Sequence, residues 1–105
     1  LITYSLGNFI STQYYGYNMV GGMLNFDIVK EDGVCSLENP VLDITVTQYS
    51  KNRDSLQVYL LEDYTEALAK EHGCTVKHSP DFSLAWIDSH VRGIVDEEFL
   101  PAYFE

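Results

Sequence analysis

Met23-Leu24-Asn25-Phe26-Asp27-Ile28-Val29-Lys30-Glu31-Asp32-Gly33-Val34-Cys35-Ser36-Leu37 is the stretch whose reading decides the fold. In an extended chain Leu24, Phe26 and Ile28 fall on one side and Asn25, Asp27 and Val29 on the other, the period of a half-buried strand. Asp32-Gly33 tolerates positive φ at both positions, the signal of a type I′ hairpin, so Val34–Leu37 returns antiparallel. Asn39-Pro40 then interrupts the returning strand, because proline brings no N–H to the ladder and suits an edge or a bulge. Outward from the hairpin the alternation recurs. Val41–Tyr49 sets Leu42, Ile44 and Val46 against Asp43, Thr45 and Thr47. After a polar turn at Ser50–Asp54, Ser55–Leu61 places Leu56, Val58 and Leu60 on one face. These segments predict an antiparallel sheet, apolar on one side and polar on the other.

The apolar side needs a cover, and the rest of the chain reads as helices. Over Glu62–His72, Leu61, Tyr64 and Leu68 recur at helical spacing, Glu66 and Lys70 form an i,i+4 pair, and Gly73 marks the stop. Ser79-Pro80 signals a second start, followed by the stripe Leu84, Ile87, Val91 and Ile94 with Trp86 and His90 beside it. Asp96 caps a last turn carrying Phe99 and Leu100, which Pro101 keeps short. The expected fold is α+β, a small antiparallel β-sheet with two to three helices packed on one face. It forms a single unit over 1–105: a strand and Tyr-rich loop at 1–22, the antiparallel sheet at 23–61 and the helices at 62–105. Ile10–Gly22 has neither period and reads as a mobile loop closed by Gly21-Gly22. Tyr14, Tyr15 and Tyr17 either line a groove or cover the core edge; cover is the commoner role of aromatics and the one expected here.

Sixteen acidic residues against six basic ones give a net charge of −10, which argues against a nucleic-acid partner. An apolar share of 46% and an aromatic share of 13% argue against a disordered chain. Composition alone reads as a soluble acidic domain, and no segment is long and apolar enough to span a membrane. Two cysteines, Cys35 and Cys74, are too few for a disulfide framework and leave the compartment open.

Chemistry is sparse. His72, Cys74 and His78 offer three zinc-type ligands in seven residues, but the spacing matches no standard site and lacks a fourth ligand, so no metal is expected on this chain. Their expected roles are a helix-capping His72 and two loop residues. Cys35 has no His nearby in sequence, and no serine sits in a Gly-x-Ser-x-Gly elbow. The pairs Glu31-Asp32, Glu62-Asp63 and Glu97-Glu98 point apart and read as surface or caps. No catalytic residue and no cofactor is assigned.

Leu1–Phe9 is read as a short buried strand, with Gly7-Asn8 ending it in a sharp turn. Tyr4-Ser5-Leu6-Gly7-Asn8-Phe9, preceded by Leu1-Ile2, resembles the YSLGNF signature of the CapA-type proteins of bacterial capsule and poly-γ-glutamate biosynthesis, which have a calcineurin-like metallophosphoesterase fold. Gly21-Gly22-Met23-Leu24, the strand Leu42–Gln48, and Val58-Tyr59 through Asp63-Tyr64-Thr65 are also similar to family members, more loosely. The family's metal-binding Asp, Asn and His residues lie upstream of this signature and have no counterpart in the chain. The resemblance therefore implies a C-terminal fragment, non-catalytic alone, of a cell-envelope protein whose parent is a divalent-metal phosphoesterase. It implies Ser5, Gly7 and Asn8 as substrate-binding or site-shaping residues. Its implied partners are the N-terminal domain of the same protein and, through Leu1–Phe9, a second copy. The alternative is a non-catalytic interaction module that docks on envelope assembly proteins or a surface polymer through the tyrosine loop.

Overall fold

The computed structural model describes residues 5–104. Three strands, β1 (Val20–Glu31), β2 (Val34–Gln48) and β3 (Gln57–Leu60), form an antiparallel sheet in that order. Two helices follow, α1 (Glu66–Glu71) and α2 (Leu84–Arg92), with single 3₁₀ turns between and after them. The fold is α+β. The strand expected at Leu1–Phe9 falls partly outside the described residues; from Ser5 to Phe9 the chain is irregular.

Asp32 and Gly33 take φ of 51° and 80°, and Glu31 pairs with Val34, so the hairpin closes on two residues in the left-handed region. Asn39-Pro40 does not end β2. The pairing passes from Asn25–Val41 to Asp27–Glu38, so Asn39 and Pro40 together oppose Phe26, with Asn39 at φ 53°. This is a β-bulge, which spares proline a ladder bond and lets the strand continue. Asn39 donates to Asp27 across the bulge at 3.1 Å.

Beyond the bulge the hairpin leaves the helical layer behind. Phe26 is 42% and Ile28 70% exposed, and Leu37 and Val34 are also exposed, although Phe26, Ile28 and Leu37 continue the apolar side of the sheet. The molecule is accordingly elongated, 55 × 25 × 22 Å. The core lies under the inner half of the sheet, where Ile44 and Val46 of β2 join Ile87 and Val91 of α2 with Met19, Phe82 and Phe104.

Both helices are shorter than the periodicity predicts. Leu61–Asp63 is a 3₁₀ turn, and α1 begins only after Thr65, whose hydroxyl accepts from the Leu68 N–H at 3.2 Å. Ser83, not Ser79, caps α2, accepting from the Trp86 N–H at 3.1 Å. Glu66 accepts from the Leu84 N–H at 3.1 Å, so α1 completes the N-terminus of α2. Ser79 is used elsewhere: its buried hydroxyl accepts from the Gly16 N–H at 2.7 Å.

His72 is wholly buried. Its Nδ1 accepts from the Cys74 N–H at 3.0 Å, which assigns the proton to Nε2, and Nε2–H donates to the Thr47 carbonyl at 2.7 Å. Burial holds its pKa below the ordinary 6.5, against a smaller opposing effect of the Thr47 bond. The unfolded chain therefore binds more protons than the folded one just below pH 6.5, and stability present above that pH is lost as pH falls through the folded pKa. We expect the His72 ring to titrate below 6.5 by NMR, and the urea midpoint to fall on acidification below about pH 6.5. Titration of His72 at or above 6.5 would contradict this account of its burial.

Candidate functional site

Residues 5–9 cross the start of β1. The Gly22 N–H donates to the Leu6 carbonyl at 2.8 Å, and the Thr47 hydroxyl donates to the Phe9 carbonyl at 3.0 Å. Gly7 turns the segment at φ 79°. The approach is so close that a Cβ on Gly21 would overlap the Asn8 carbonyl oxygen. This segment corrects the expectation of a solvated polar face: Thr45 and Thr47 are fully buried.

The same segment forms one wall of a cleft of about 590 Å³. Ser5, Leu6 and Gly7 stand on one side and Val91 and Ile94 on the other, with Leu42 and Ile44 among the sheet residues between them. Ser5, Tyr17, His90 and Asp96 contribute polar groups to a mainly apolar lining. His90 is stacked on Trp86, ring centroids 4.9 Å apart and planes 9° from parallel, which fixes its orientation on α2. Such a cleft suits an apolar group or a chain segment anchored by a few polar contacts. The Ser5 hydroxyl accepts from the Gly7 N–H at 3.3 Å, a turn-forming bond.

Of the three residues singled out from the sequence, Ser5 and Gly7 line this cleft and Asn8 does not. The Asn8 side chain donates to Gln13 Oε1 at 2.5 Å and to the Asn18 carbonyl at 3.3 Å, bracing the tyrosine loop. In the sequence His90 is no more than a flank of the α2 stripe. The signal for the cleft lay in Gly21-Gly22, a pair of strand residues without side chains where another backbone approaches.

His72, Cys74 and His78 do not act together. Both His72 nitrogens are engaged inside the fold, and burial pushes the Cys74 thiol up to about 12. Cys35 and Cys74 are free thiols, Cys35 on the exposed outer ribbon.

His78 instead belongs to a surface cluster with the tyrosine loop. Tyr14, Tyr15 and Tyr17 are 49%, 43% and 54% exposed, so they do not cover the core edge as expected. The His78 ring lies 5.1 Å from Tyr14 and 5.0 Å from Tyr15, and Tyr15 stacks on Tyr17 at 5.3 Å and 9°. The loop is tied to the body of the fold at two points: the Tyr49 hydroxyl donates to the Gln13 carbonyl at 2.8 Å, and Ser79 holds Gly16.

No protein-family model, curated protein or solved structure matches the chain.

The close approach at Gly21 carries a test of the cleft wall. Gly21→Ala should destabilise the fold by about 1–3 kcal/mol in urea denaturation through overpacking. It should also speed hydrogen exchange at the Gly22 amide, which bonds to Leu6. An unchanged midpoint with unchanged exchange would mean that residues 5–9 do not seat on β1.

Proposed function

We propose that this chain is the C-terminal portion of a CapA-type protein of bacterial capsule or poly-γ-glutamate biosynthesis, acting on the cell-envelope side. The observation that carries this reading joins sequence to geometry. Ser5-Leu6-Gly7-Asn8-Phe9 and Gly21-Gly22-Met23-Leu24, two of the stretches with the family resemblance, are hydrogen-bonded to one another at the cleft wall. Ser5 and Gly7 then shape the cleft, and Asn8 holds the turn.

The resemblance implies divalent metals in the parent. Among the described residues no three His, Cys, Asp or Glu side chains converge, and the cleft is mainly apolar, so its donors do not fit a two-metal phosphoesterase centre. Metal ligands, and any hydrolysis, belong to upstream parts of the parent, and this chain contributes shape. The test is a pair of measurements. The parent should hydrolyse an aryl phosphate with added Mn²⁺ and lose turnover in EDTA, whereas the isolated chain should show neither. Turnover by the isolated chain, or an upstream sequence without Asp, Asn and His ligand motifs, would remove the reading.

A second reading is favoured by the exposure of Tyr14, Tyr15 and Tyr17 on a braced loop. It makes the chain an interaction module that docks on envelope assembly proteins or a surface polymer. Exposed, rigid tyrosines supply contact area at low entropic cost. Replacing Tyr15 and Tyr17 together by Ala should release the parent protein from the envelope fraction while leaving its fold intact; unchanged retention would exclude this reading.

A further inference from the structure

Arg53, Tyr14, His78, Tyr15 and Tyr17 form a continuous surface ladder. The Arg53 guanidinium lies 4.2 Å from the Tyr14 ring centroid, and the three ring-to-ring steps that follow are each about 5 Å. Three features separate this ladder from ordinary surface packing. Arg53 is held in the left-handed region at φ 62°, which costs a non-glycine residue free energy and marks a position fixed by its surroundings. Its guanidinium is aligned by neutral acceptors, the Tyr14 hydroxyl at 2.8 Å and the Thr12 carbonyl at 2.5 Å, and it forms no ion pair among the described residues. Two of its five N–H donors are thus used for alignment, leaving the charge and the remaining donors for a ligand. Finally, Lys51, Arg53 and Lys77 lie in the two loops that carry Arg53 and His78, half of the six basic residues of a chain with net charge −10.

We infer that this ladder is a binding site for an acidic saccharide, a pyranose chain bearing carboxylates, with a sugar ring on the face of Tyr17 turned away from Tyr15 and a carboxylate on Arg53. The inference rests on the second reading above, that the tyrosine face is an interaction surface. Each part of the ligand answers a feature of the site. Tyrosine faces stack on the apolar C–H face of a pyranose, and the phenol hydroxyls meet its hydroxyl groups. A guanidinium with free N–H groups and no protein counter-ion takes a carboxylate by paired hydrogen bonds. Bracing by Tyr49, Ser79 and Asn8 sets the rings before a ligand arrives, which lowers the ordering cost of binding.

The test is an NMR titration of the ¹⁵N-labelled chain with four probes: tetragalacturonate, neutral cellotetraose, polyaspartate and an oligothymidylate. Tetragalacturonate should shift Tyr14, Tyr15, Tyr17 and Arg53 and bind more weakly as salt rises. Tyr17→Ala should weaken it by roughly tenfold, the scale of one lost stacking contact, and Tyr15→Ala, which removes the ring that Tyr17 rests on, should also weaken it. Arg53→Gln should weaken tetragalacturonate and leave any cellotetraose binding unchanged, with unaltered shifts at Ile44 and Ile87 certifying the fold of each variant. Equal binding of cellotetraose overturns the acidic assignment, and polyaspartate binding at the same residues shows charge without sugar recognition. Tighter oligothymidylate binding assigns the ladder to nucleic acid. Each of these three outcomes overturns the inference while leaving an interaction surface in place. No shift with any probe at millimolar concentration overturns the inference itself, whereas the interaction reading stands or falls on envelope retention of the double tyrosine variant.

Discussion

The inner half of β2 and the residue after it are buried along six consecutive residues, Ile44 to Tyr49, so every backbone N–H and C=O there must find a partner inside the protein. Neither neighbouring strand is long enough to supply them all. On the β1 side, the ladder stops at Val20 and other groups continue it. The Met19 carbonyl accepts from Thr47 N–H at 2.8 Å, His72 donates to the Thr47 carbonyl, and the Gly73 N–H donates to the Tyr49 carbonyl at 2.9 Å. On the other side, β3 pairs only as far as Thr45, and the Tyr103 hydroxyl accepts the next free donor, Ile44 N–H, at 3.3 Å. The end of α1, the turn after it and the C-terminal turn are therefore placed by the needs of one strand. Gln48 extends the same logic to side chains, donating to the Leu68 carbonyl at 2.8 Å and accepting from the Tyr64 hydroxyl.

This requirement explains which features were legible in the sequence. The Asp32-Gly33 hairpin and the alternation in β1 and β2 depend on neighbouring residues and could be read directly. Helix α1 exceeds its true length in the sequence pattern mainly at the start, where Leu61–Asp63 forms a 3₁₀ turn; at its other end His72 is the C-cap but buried, drawn at ψ 136° to Thr47, 25 positions earlier. Ser79 looked like a cap for the same reason, since its local pattern carries no sign of Gly16, which lies 63 positions earlier. Thr45 and Thr47 read as a solvated face because their cover, residues 5–9, is distant in sequence. Only the missing side chains of Gly21 and Gly22 hinted at it. For the candidate site, the turn at Gly7 was legible and the cleft beside it was not, because its far wall comes from α2.

The outer half of the hairpin obeys a different balance. It keeps the strand alternation but lacks the helical cover that makes alternation pay, so Ile28 and Leu37 face solvent as a cross-strand pair. Two long ribbons of this kind invite edge-to-edge pairing. The bulge at Asn39-Pro40 bends the outer ribbon's pairing register, and Asp27, Lys30, Glu31, Asp32 and Glu38 place charges along it. Twist and charge together oppose regular stacking of a second sheet.

The cleft and the tyrosine ladder are two faces of one segment. Residues 5–7 make the cleft wall, and the chain that continues from them presents Tyr14, Tyr15 and Tyr17. Asn8 joins the two parts, since its amide reaches both Gln13 before the tyrosines and Asn18 after them. Thr47 on the buried half of β2 and Tyr49 just beyond its end hold the segment at Phe9 and Gln13. A shift of the wall would thus withdraw acceptors from two β2 side chains and remove the brace of the ladder in one movement. The cost of leaving those buried donors unpaired ties the geometry of both surfaces to the central strand.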